Sequence, residues 1–290
     1  MSRAAGIDVS FWQDDNSTPQ GIDFERARAA GAEFVFIKSS QALFTDQDFT
    51  RNWQAARAAR LLRGAYHFFD YRVSALEQAK YFVELLRGDP GELAPVLDVE
   101  RHPQWPLPTR EALLREIQTF LEYVEAQIGK RPIFYANPAM LYYILKPVPD
   151  WLVQYPLWIA HYDVPEPNMI APWPRWTFWQ WTAKGDGLYY GVESKGLDMN
   201  WFNGSSAELR SFAGLEPGVE PDPVEAPEIL QVTATQLNIR LAPGLDGRDI
   251  GDLSRGQLVR RAPGIEDVSK GGITWSPVVV WAARQHLRDV

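Results

Sequence analysis

The chain has 290 residues, 46% of them hydrophobic and 13% aromatic, enough for a large core and free of the compositional marks of disorder. Its 29 basic and 37 acidic residues leave a net charge of −8, which argues against a nucleic-acid backbone as partner. The absence of cysteine removes disulfides, thiolate nucleophiles and thiolate metal sites, and no apolar run reaches the ~18 residues of a membrane span.

The N-terminus leads directly into an apolar strand, Ala5–Trp12, without the pattern of a secretory signal. Strands and amphipathic helices then alternate over the first five or so strands, and the later strands are linked more irregularly. A helix is predicted over Asp23–Ala30, a strand over Glu33–Ser39, a helix over Asp46–Ala59, a strand over Leu62–Phe69 and a helix over Ala75–Arg87. Ser74 and Glu77 form a capping-box pattern before that helix. The strand Ala94–Glu100 precedes a long helix, Arg110–Ile128. Pro132–Ala136 reads as a strand and Ala139–Leu145 as a short helix. Strands follow at Pro156–Tyr162, Thr177–Thr182 and Leu197–Trp201. Ser205 and Glu208 cap a last helix that ends near Gly214. Strand–helix alternation implies parallel pairing. A distorted TIM-like (β/α) barrel over 1–214 fits best, with a doubly wound open sheet as the alternative. The nucleotide fingerprints of many open sheets, GxGxxG and GxxxxGK[ST], are missing.

Residues 215–228 hold four prolines and five acidic residues with no basic one, the composition of a stiff, extended linker. Residues 229–290 read as all-β, with alternation over 232–240 and turn signals at Pro243-Gly244, Asp246-Gly247, Arg255-Gly256 and Gly271-Gly272. Short strands in a segment of this size suit a small barrel.

Four carboxylates stand where strands are predicted to end: Asp8, Asp98, Glu100 and Asp198. The C-terminal strand ends of a (β/α) barrel build its active site. Asp98 and Glu100 are two residues apart, so on a strand they face one side with Cβ atoms roughly 6–7 Å apart. Paired carboxyls at such distances suit glycoside hydrolysis, in which one keeps a proton while the other stays charged. Acids at strand ends also cap helices or bind arginine, and an all-oxygen Mg²⁺ or Ca²⁺ site is the rival chemistry. His67, His102, His161 and His286 show no metal-ligand spacing such as HExxH, and GxSxG is absent. No cofactor or metal is expected. Tyr66, Tyr135, Trp158, Tyr162 and Gln180 cluster at the same strand ends and could line a sugar groove, whose apolar C–H faces stack on rings.

The segments Gly6-Ile-Asp-Val-Ser, Phe36-Ile-Lys-Ser-Ser, Gly64-Ala-Tyr-His-Phe, Pro95-Val-Leu-Asp-Val-Glu, Pro132-Ile-Phe-Tyr-Ala-Asn, Leu157-Trp-Ile-Ala-His-Tyr, Trp179-Gln-Trp-Thr and Leu197-Asp-Met-Asn resemble, in order and spacing, the family 25 glycoside hydrolases, the Chalaropsis-type lysozymes. The resemblance spans nearly all of residues 4–212. It implies a distorted (β/α) barrel and cleavage of the β-1,4 bond between N-acetylmuramic acid and N-acetylglucosamine in bacterial peptidoglycan. It implies Glu100 as general acid, Asp98 as its partner carboxylate, and Asp8 and Asp198 as the rest of the acidic floor. Tyr66, Tyr135, Trp158, Tyr162 and Gln180 fall at groove positions. One segment departs: where the family commonly continues Lys-x-Ser/Thr with Glu-Gly, this chain has Gln41-Ala42. The tail resembles bacterial SH3-type domains through Leu237-Asn-Ile-Arg-Leu-Ala-Pro-Gly, Gly251-Asp-Leu-Ser-Arg-Gly-Gln-Leu-Val and Trp275, which implies wall binding, although the closing segment is altered to Val279-Val280-Trp281-Ala282. A monomer is expected. Without a signal, a phage-type endolysin released from the host cytoplasm is favoured over a secreted autolysin. A non-catalytic wall binder and a glycosidase on another N-acetylated glycan such as chitin are the alternatives.

Overall fold

The computed structural model describes residues 3–14, 21–216 and shorter stretches between 229 and 279. Contacts divide the chain into two compact units, Met1–Val219 and Glu220–Val290. The division falls inside the expected linker 215–228, most of which lies outside the described residues.

The first unit is a closed eight-stranded barrel. Its strands are β1 (Ala5–Val9), β2 (Phe34–Gln41), β4 (Leu62–Phe68), β5 (Val96–Asp98), β6 (Ile133–Ala136), β7 (Leu157–Ala160), β8 (Phe178–Asp186) and β9 (Gly196–Phe202). A two-residue strand, β3 (Phe44–Thr45), folds back on the end of β2. Neighbours from β1 through β2, β4, β5, β6 and β7 to β8 pair in parallel, and β9 closes the ring antiparallel to both β8 and β1. The antiparallel closure corrects the expectation of parallel pairing at this one place: Leu197–Trp201 follows β8 through a hairpin, without a crossover helix to turn it round.

Helices α1 (Phe24–Ala29), α2 (Phe49–Ala58), α3 (Ala75–Leu85), α4 (Arg110–Ile128) and α5 (Ser206–Phe212) accompany the barrel. In α4, Leu113, Leu114, Ile117, Phe120, Leu121 and Val124 recur at helical spacing and are buried. Its start is capped by the Thr109 side chain and its end by Gly129 at φ +74°. Ser205 and Glu208 form the reciprocal cap expected for α5, whereas Ser74 makes only its own half of the cap on α3.

The barrel interior explains where the polar residues end up. Side chains two apart on a strand face the same way. Buried Phe34, Phe36, Val96, Ile133, Phe178 and Phe202 belong to one cluster with Trp158. Glycines make room for its rings: a Cβ on Gly6 would come within 2.5 Å of the Phe34 ring, and one on Gly64 within 2.4 Å of Phe36. Six inward rows then continue by two residues into a polar group: Gly6 to Asp8, Phe36 to Lys38, Gly64 to Tyr66, Val96 to Asp98, Ile133 to Tyr135, Phe178 to Gln180. The apolar layers fill the barrel, and the polar layer caps them at the C-terminal strand ends.

In the second unit every described pairing is antiparallel. Ile229–Gln231 and Val278–Val279 flank Leu258–Arg261, Gln236–Arg240 pairs with Asp249–Ser254, and Val268–Lys270 pairs with Ile273–Trp275. The altered closing segment beyond Val279 lies outside the described residues.

Gln41 pairs with Phe44, so Ala42 and Leu43 alone turn the β2–β3 hairpin, and Ala42 has φ +50°. A side chain there costs about 1–2 kcal/mol. Ala42→Gly is expected to stabilise the chain by about 0.5–1 kcal/mol, because glycine relieves that strain but loses more backbone entropy. Urea unfolding of the two proteins measures the difference.

Candidate active site

Asp8 and Asp198 face each other across the β1–β9 ladder, where they are register partners. Asp98 ends β5, and Glu100 lies just beyond the strand rather than on it. The structure brings all four acids to one end of the barrel, where each acts electrostatically on at least one of the others. Asp8 and Asp98 are buried; Glu100 and Asp198 are partly open.

An amide network fixes Asp8. Gln180 Nε2 and Asn200 Nδ2 each donate to Asp8 Oδ2 at 2.8 Å. Trp158 Nε1 donates to Asn200 Oδ1 at 2.9 Å, orienting that amide. Tyr162 and Tyr135 hydroxyls reach Gln180 Oε1 at 2.5 and 2.9 Å. Tyr135 also acts on Glu100, favouring its charged form. Asp98 differs: its Oδ1 is buried without a hydrogen-bond partner. A buried acceptor left open in this way is costly unless something supplies a donor.

Burial and crowding set the protonation. Burial pushes the Asp8 carboxyl well above its ordinary range and the Asp198 charge adds to it, while the Asn200 and Gln180 amides oppose. Burial likewise raises Asp98 strongly, reinforced by Glu100 and opposed by Lys38. Glu100 is raised by burial against Tyr135 and the Lys38 charge. Asp198 is pushed up to about 6 by burial and Glu100, opposed by a hydrogen bond from Asp8. Four acids this close titrate as a group. Lys38, reached by two-residue steps along β2, supplies a nearby positive charge; its Nζ donates to Gln41 Oε1 at 3.1 Å, so the residue at the departing position 41 holds it through a neutral amide.

Of the expected groove residues, Tyr162 is 41% exposed and Tyr66 is half-buried, while Tyr135 and Gln180 are buried in the network described. Trp158 is only 2% exposed: it is stacked on Phe36 and lies beneath Tyr66 and Tyr135, where it supports the site from below. Asn200 was not singled out by sequence reasoning, although it stands two residues after Asp198 on one strand. His67 is fully buried between Ser40 Oγ (2.9 Å) and Gln78 Oε1 (3.0 Å), and burial lowers its pKa to about 4. Because Gln78 Oε1 can only accept, His67 carries its proton on Nε2 and accepts from Ser40. It is a satisfied core residue. Among the described residues no group of three or more His, Asp or Glu side chains is placed to hold a metal ion, and no helix is long and apolar enough to cross a membrane.

Residues 7–187 match the family described as Glycosyl hydrolases family 25. The chain is 31% identical to Lysozyme M1 of Streptomyces globisporus over 73% of its length and 72% of that protein. It is 35% identical to the uncharacterized protein YegX of Escherichia coli K12, over 71% of this chain and 72% of that one. The bacterial lysozyme of Streptomyces coelicolor superposes with a TM-score of 0.64 at 29% identity, covering 73% of this chain and 98% of that one.

The raised Asp198 has a consequence for stability. Between its unfolded value of 3.8 and its folded value of about 6, the native state binds more protons than the unfolded state. Its contribution is therefore fully present below about pH 4 and lost as pH rises through about 6. Asp198→Asn is expected to stabilise the protein by about 2 kcal/mol above that window and to have little effect below it. Denaturant unfolding on both sides of the window checks the sign.

Proposed function

Because the chain belongs to glycosyl hydrolases family 25 and is a glycoside hydrolase, we propose that it is a muramidase that cleaves the β-1,4 bond between N-acetylmuramic acid and N-acetylglucosamine, with Glu100 and Asp98 as its catalytic carboxyls. Family and lysozyme relatives support the coarser statement, peptidoglycan hydrolysis. The observation that carries the finer one is the unequal pair at the end of β5: burial raises both carboxyls, but Glu100 is partly open whereas Asp98 is buried with an unpartnered oxygen.

Glu100 holds a proton where an unperturbed glutamate has lost it, and it is open enough to deliver that proton to the glycosidic oxygen. It then activates water in the second half of the reaction. Asp98 Oδ1 offers an acceptor with no competing donor. A 2-acetamido N–H would fill it, which orients the substrate's own carbonyl oxygen toward the anomeric carbon. Direct attack by Asp98 is the other retaining route, and substrate assistance is preferred because the open acceptor matches an amide donor. Asp8 and Asp198 share a hydrogen bond and keep negative charge below the developing oxocarbenium. Tyr66 and Tyr162 border the sugar, Tyr135 and Gln180 hold the acids, and Trp158 fixes Asn200.

In this proposal residues 1–214 are catalytic and 215–228 link them to an SH3-like wall-binding domain, 229–290. The protein acts on the wall after release as an endolysin, or after secretion.

Glu100→Gln is expected to lower wall clearing by about 10³-fold and Asp98→Asn by at least about 10²-fold, with unfolding midpoints no lower than the wild type's, since each removes a carboxyl whose charge burial penalises. Turbidity of purified walls gives the rate. Mass spectra should place N-acetylmuramic acid at the reducing end, and NMR during turnover should show retained configuration. Wall binding without clearing by the wild type would reject catalysis, and inverted product would reject both retaining routes.

A further inference from the structure

Several large apolar side chains stand in solvent on the loops that follow the parallel strands. Trp12, three residues past β1, is 72% exposed, and Phe44, on the hairpin past β2, is 75% exposed. Tyr143, in the helical turn Met140–Ile144 past β6, is 87% exposed. Around the closed ring, β1 and β6 are four strands apart in either direction, so they lie on opposite sides of the barrel. The same holds for β2 and β7, the latter followed by Tyr162. A line from Trp12 or Phe44 to Tyr143 or Tyr162 therefore passes over the acids at the end of the barrel.

These loops are pinned. Phe11 N donates to Asp46 Oδ2 at 3.2 Å and Asp46 N to Ser39 O at 2.8 Å, which joins the Trp12 loop to the Phe44 hairpin. Thr45 Oγ1 and Tyr81 OH are 2.7 Å apart. On the far side Arg110 Nε, at the start of α4, donates to Leu145 O at 3.1 Å. Rings of this size, held on anchored loops but left in water, mark an interaction surface. The carboxyls between them disfavour a nucleic acid or an anionic membrane. A carbohydrate chain fits, because its C–H faces stack on rings while its edges stay hydrated.

We propose that Trp12 and Phe44 on one lip and Tyr143 on the other are stacking platforms that hold a glycan strand stretched across the acid cluster, so that the protein recognises an extended strand and not an isolated disaccharide. This rests on the muramidase proposal and adds the length of substrate it requires.

The test uses the full chain carrying Glu100→Gln to stop turnover, with calorimetric titration of purified peptidoglycan disaccharide, tetrasaccharide and octasaccharide. The octasaccharide should bind about tenfold more tightly than the disaccharide. Adding Trp12→Ala or Tyr143→Ala should remove most of that gain, and Trp12→Phe should keep it. Affinity independent of strand length, or a length gain untouched by both alanine variants, overturns the proposal and leaves the muramidase assignment standing. Wild-type protein that clears no wall, with a Glu100→Gln variant that binds no strand, overturns both. A dimer in sedimentation that Trp12→Ala abolishes would make the lip a self-interface and also overturn the proposal.

Discussion

Like charges crowded at one end of a closed barrel cannot all ionise, and that constraint organises the molecule. Four carboxyls share the barrel mouth, two of them buried, with Lys38 as a nearby counter-charge. Burial penalises each negative charge and every neighbour adds to the penalty. The protein responds by holding protons, by aiming two amides at one Asp8 oxygen, and by leaving one Asp98 oxygen open. A site in that condition is poised to give up a proton on one side and to accept a donor on the other.

The barrel makes the crowding tolerable. Its interior is packed with rings up to Phe36 and Trp158, so the polar layer rests on a rigid floor instead of a water-filled core. Trp158 links floor and site, stacking on Phe36 while its indole N–H orients Asn200. The network then runs Asn200, Asp8, Gln180 and Tyr162, joining side chains from β9, β1, β8 and the end of β7. Strand ends far apart in sequence thereby hold one another at fixed geometry, as catalysis by positioned groups demands.

Much of this was legible in the sequence because the barrel is locally consistent. The helix Arg110–Ile128 coincides with its apolar spacing and cap, and the inward rows are visible as residues two apart. The four acids were recognisable because carboxylates rarely end apolar strands together. What sequence could not supply was partnership. The antiparallel turn into β9 has no mark in the pattern of Leu197–Trp201, which reads like any buried strand. The β3 strand is two residues long, too short for a period. Trp158 looked like a sugar platform because aromatic content does not distinguish a ring facing the mouth from one supporting it. Asn200 and Lys38 act through groups on other strands, so their roles appear only once the ring closes.

The carboxyl cluster itself is open to direct observation. A ¹³C NMR titration of side-chain carboxyls in Asp- and Glu-labelled protein, assigned through single Asn and Gln substitutions, follows each proton separately. The crowding account predicts that Asp8, Asp98, Glu100 and Asp198 titrate above the ordinary carboxylate range of about 4, in interdependent steps, and that Glu100→Gln moves the Asp98 and Asp198 curves downward. Four independent transitions near the ordinary value, unchanged by that substitution, would contradict it.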